Sequence, residues 1–95
     1  MLGTSPKERS SERQPAKQHG SLIVSLDRHL HRVPCLIVDI SRGGFRIRGS
    51  FRLRRGQMVE VVPEEDPLSV AKCSVVWVGR LGTAQQGEAG LEALT

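Results

Sequence analysis

The chain has no tyrosine, one tryptophan and two phenylalanines among its 95 residues. So few rings leave little surface for stacking single-stranded bases, which argues against a nucleic-acid binder despite a formal net charge of +4. Cysteine is equally sparse. Cys35 and Cys73 lie inside apolar runs without the CxxC spacing of a zinc or redox motif, and are expected to be buried free thiols. No apolar run approaches the ~20 residues of a membrane span. The polar segment 1–19 also lacks the apolar middle of a signal peptide, so a cytoplasmic location without membrane insertion is expected. There is no Ser/His/Asp set, no pair of acids on a cleft and no glycine-rich phosphate loop, so the chain does not read as an enzyme. His29-x-His31 brings two imidazoles near Cys35 in sequence but no converging set of three or four ligands, so neither metal nor cofactor is expected.

Acidic residues are scarce in the first half. Residues 1–55 hold twelve Lys and Arg against four acids, whereas residues 56–95 hold two against six. Eleven of the fourteen cations are Arg, the side chain suited to bidentate contact with phosphate and with the O6/N7 edge of guanine. A one-sided, Arg-rich field favours an anionic, nucleotide-like partner.

What is present is a series of short apolar runs. Residues 1–20 are dominated by Ser, Pro, Gln, Lys, Arg and Glu and bury too little apolar area to offset ordering, so they are expected to form a flexible arm. Strands are expected at Ser21–Leu26, Val33–Ile40, Phe45–Arg48, Gln57–Val62, Leu68–Val78 and Glu88–Leu94. Residues 27–32 read as a polar connection and residues 63–67 as an acidic loop with Pro at both ends. Strict alternation places Cys35, Ile37 and Asp39 on one face of the second strand, and Ala71, Cys73, Val75 and Trp77 on one face of the fifth. Trp77 is thereby read as core, and Arg46 and Arg48 as outward-facing. The last segment reads as a strand rather than a helix, because Gly90 at its centre costs a helix about 1 kcal/mol. Short strands with turn signals every eight to twelve residues indicate an all-β fold, a six-stranded antiparallel β-barrel over residues 21–95.

The turn Asp39-Ile40-Ser41-Arg42-Gly43-Gly44 carries more polar groups than a hairpin requires. Its paired glycines suit the positive φ of tight turns, and its Asp and Ser could simply satisfy the hairpin backbone. Upstream, Arg9-x-x-x-Arg13 places two guanidinium groups four positions apart on a segment with no structural need for them. RxxxR on an N-terminal arm, followed by Asp39-x-Ser41-x-x-Gly44 between strands, resembles the PilZ domain. The resemblance spans the chain. It implies a six-stranded, split-barrel-type fold that binds cyclic diguanylate, with Arg9 and Arg13 on phosphate and base, and Asp39 and Ser41 on a guanine. Gly43 and Gly44 would shape the turn beside the ligand. The chemistry agrees, since Asp39 is an acceptor for guanine N1–H and N2–H, and Arg can bind phosphate or stack on a purine.

The resemblance therefore implies a non-catalytic receptor whose arm closes over cyclic diguanylate and signals to a protein partner. The alternative is a PilZ-like protein-interaction module of motility or secretion machinery that binds no nucleotide.

Overall fold

The computed structural model describes residues 14–94. It is a closed barrel of six strands: β1 (Gln14–Leu26), β2 (His29–Ser41), β3 (Gly44–Arg48), β4 (Met58–Pro63), β5 (Ala71–Val78) and β6 (Glu88–Ala93). All neighbours are antiparallel, in the spatial order β1-β2-β3-β6-β5-β4, and β4 pairs back onto β1. Closure gives every strand a neighbour on both sides, although β1 and β2 run on past β4 and β3 as a two-stranded ribbon.

The inward faces of the strands supply the core. Leu22, Ile37, Ile47, Val61, Cys73 and Val75 are its largest fully buried side chains. Each large aliphatic chain among them contributes about 1.5–3 kcal/mol through removal from water. Both thiols are free and buried, as expected. Burial pushes the Cys35 and Cys73 thiols up from the model-compound value of 9.0 to about 11.

Three boundaries differ from the sequence reading. β1 begins at Gln14, so residues 14–20, expected to belong to the arm, are strand. Ladder hydrogen bonds do not depend on apolar side chains, and β2 supplies a pairing partner for this polar stretch. The polar connection shrinks to Asp27 and Arg28, whose φ values of 50° and 68° make a tight turn between Leu26 and His29. His29 and His31 consequently lie on β2, both exposed. β5 starts at Ala71 rather than Leu68, which makes β1 and β2, at 13 residues each, longer than β5 at 8.

Candidate functional site

Strict alternation fails at the second strand, and the failure builds the site. Between Ile37 and Asp39 the β2–β3 register slips, because Ile37 pairs with Ile47 and Asp39 with Arg46. Val38 is the extra residue of a β-bulge, and a one-residue insertion reverses the face of everything after it. Asp39 is therefore not on the core face with Cys35 and Ile37, as strict alternation predicted. Instead it joins Arg46 on the outer face, where its carboxylate lies 3.0 Å from the Arg46 guanidinium. The β1–β2 register also slips here, between Pro15 and Gln18, with Lys17 at φ 44°.

A second bulge acts on Trp77. Val75 pairs with Leu91 and Trp77 with Gly90, leaving Val76 as the extra residue of β5. Ala89 and Leu91 belong to the core cluster, so Gly90 between them faces outward. A Cβ on Gly90 would collide with the Trp77 indole. Trp77 is thus half-buried on the outside of the barrel, lying on the β6 backbone, and not in the core.

The turn closes as a hairpin with Ser41 opposite Gly44. Ser41 Oγ donates to the Gly44 carbonyl at 3.5 Å, a long bond that leaves the hydroxyl available to another partner. None of the residues from Ser41 to Gly44 has a positive φ, contrary to the expectation for this glycine pair. Gly44 answers a different demand, since a Cβ there would strike the Leu91 carbonyl of β6. Gly43 meets nothing within 4 Å and lies exposed at the tip. The turn opens onto a groove of about 170 Å³ formed by Ser41, Gly43, Gly44, Trp77, Gly90 and Glu92 among others.

Behind the turn runs a chain of alternating charges that the sequence reading missed. Glu88 on β6 is 3% exposed and sits opposite Arg48. Arg48 Nε donates to Glu88 Oε2 at 3.2 Å, and its terminal nitrogen donates to the same oxygen. Glu88 Oε1 lies 3.8 Å from Arg46 Nε, too far for a hydrogen bond. That Nε is buried and has no hydrogen-bond partner. The order is Asp39, Arg46, Glu88, Arg48, with the carboxylates buried and the guanidinium groups partly in water. Arg46 and Arg48 were legible as outward-facing alternate residues. Glu88 was not, because nothing local reveals that β3 pairs with β6.

Arg9 and Arg13 lie outside the described residues. β1 nevertheless starts by pairing Gln14 with Ile40 and Pro15 with Asp39. Among the described residues a larger and more apolar groove, about 280 Å³, lies between Ile23, Leu30, Met58 and Lys72. Its charged groups, Glu60 and Lys72, face each other in register and offer no convergent polar set.

A comparison with protein-family models matches residues 7–94 to the PilZ domain. The chain belongs to the PilZ domain family. No curated protein and no solved structure matches the chain. The PilZ domain is generally a cyclic diguanylate-binding module, a binding or adaptor domain and not an enzyme. The six-stranded barrel of this PilZ chain accords with that family.

Proposed function

We propose that this PilZ domain is a cyclic diguanylate receptor in which the Asp39–Gly44 turn holds one guanine and Arg9 and Arg13 hold phosphate and base. The observation that carries the reading is the start of β1. Its pairing of Gln14 with Ile40 sets the start of β1 beside the turn. Arg13 immediately precedes Gln14 in the sequence, which supports a reading in which both motifs serve one ligand.

Size supports a divided site. Ligand pockets usually measure about 300–1,000 Å³, whereas the groove beside the turn is about 170 Å³. It suits a single base, with the remainder of the dinucleotide covered by the segment upstream of Gln14. Asp39 supplies the acceptor for guanine N1–H and N2–H, Ser41 a hydroxyl, and the Trp77 ring an apolar face at the rim. Ordering the segment around the ligand would present a new surface to a protein partner. The reading as a protein-interaction module draws on a different feature, the exposed Leu30 and Met58.

Trp77 is the sole tryptophan, so its emission reports on the groove. Titration with cyclic diguanylate is expected to change that emission saturably in the wild type and much less in Asp39→Asn. Unchanged emission together with no heat of binding would overturn the reading.

A further inference from the structure

Resting on the cyclic diguanylate reading above, we infer that Glu88 is a positioning residue. It receives Arg46 when a guanine takes over the Asp39 carboxylate. Arg46 is one of the groups that hold Asp39, at 3.0 Å. A guanine edge donating two N–H groups to that carboxylate competes with the Arg46 terminal nitrogen for the same oxygens. A guanidinium displaced from one buried carboxylate needs another acceptor nearby, because an uncompensated charge in a partly dry site is costly.

Glu88 is placed to be that acceptor. Its side chain is 4% accessible, and its Oε2 is already occupied by Arg48. Its Oε1 faces Arg46 Nε at 3.8 Å. The Nε is the one buried side-chain nitrogen or oxygen among the described residues without a hydrogen-bond partner. Closing that gap to a normal N–H···O distance takes a movement of about 1 Å, within the reach of a small torsional change. The unsatisfied donor and the half-used carboxylate thus form an unclosed contact, open while Arg46 leans on Asp39 and closed when it is released.

Arg48 holds the Glu88 carboxylate in place through its two hydrogen bonds. Among the described residues, Asp39 and Arg46 are the other charged groups in this chain of ion pairs. Without the Glu88 charge, Asp39 is the remaining carboxylate for Arg46 among the described residues, and Arg46 competes harder with the ligand. Network residues of this kind modulate coupling by ~0.5–2 kcal/mol, so Glu88→Gln should weaken cyclic diguanylate binding roughly twofold to thirtyfold.

The test combines calorimetry with nitrogen-edited NMR of the arginine Nε–H groups, with and without cyclic diguanylate. In the wild type, ligand should shift the Arg46 Nε–H resonance and slow its exchange with water. In Glu88→Gln, affinity should fall and the Arg46 signal should stay unprotected. A purely structural role would lower the melting temperature without changing the ligand response of that signal. Wild-type affinity in Glu88→Gln, or a wild-type Arg46 Nε–H indifferent to bound ligand, overturns the inference and leaves the binding site standing. A wild-type protein that binds no cyclic diguanylate overturns the underlying reading and the inference with it. Should Glu88→Gln fail to fold, the wild-type spectrum alone decides.

Discussion

Asp39 has a structural contact beside the recognition role proposed for it. It is 5% exposed and ion-paired to Arg46, so it is a buried charge that needs a partner. Asp39→Ala should therefore cost stability as well as affinity. Because Arg46 keeps about a third of its side chain in water, the stability loss should stay near ~1–2 kcal/mol, below the range for fully buried pairs. Chemical denaturation of Asp39→Ala beside Asp39→Asn measures it, and an unchanged midpoint in Asp39→Ala would contradict the ion pair. The thiols make a separate prediction. Their pKa is about 11 in the fold against 9.0 ordinarily, so the unfolded chain loses protons first as pH rises. The stability they lend is fully present below pH 9 and is lost between pH 9 and about 11. A Cys35→Ala/Cys73→Ala variant, though weaker at neutral pH for loss of volume, should show a shallower decline over that window. Absence of tyrosine removes the usual competing titration there.

Among the elements, β5 and β6 show where inference from sequence succeeds and where it stops. The existence of all six strands was legible, because β-branched runs bounded by Gly, Pro and acidic turns admit few other readings. The faces of Asp39 and Trp77 were not. Each follows an extra residue, Val38 or Val76, and a bulge depends on the partner strand's register, which no single strand encodes. The same limit hid Glu88, whose partners are set by β3–β6 pairing, and it hid the start of β1, where polar residues are held by neighbours' backbones. Gly90 was legible only as a helix breaker, yet its role is to seat the Trp77 ring. Gly90→Ala should force the indole off β6 and cost about 1–3 kcal/mol through overpacking. Circular dichroism melts would read the loss, and a red-shifted Trp77 emission would show the ring moving toward water. A melt and an emission spectrum equal to the wild type's would contradict the placement.

For the molecule as a whole, a closed barrel offers a rigid wall, and the segment upstream of Gln14 is attached next to that wall's polar turn. Under the proposed reading the basic first half of the chain serves the ligand, and Glu88 from the acidic second half lies against two of its arginines, Arg46 and Arg48. The account stands or falls on whether Arg9 and Arg13 act with the turn. Isothermal titration of cyclic diguanylate into the wild type and into Arg9→Ala/Arg13→Ala addresses this directly. The account predicts saturable binding by the wild type and a loss of about tenfold or more in the double variant, with the barrel still folded. Wild-type affinity in the double variant would contradict it.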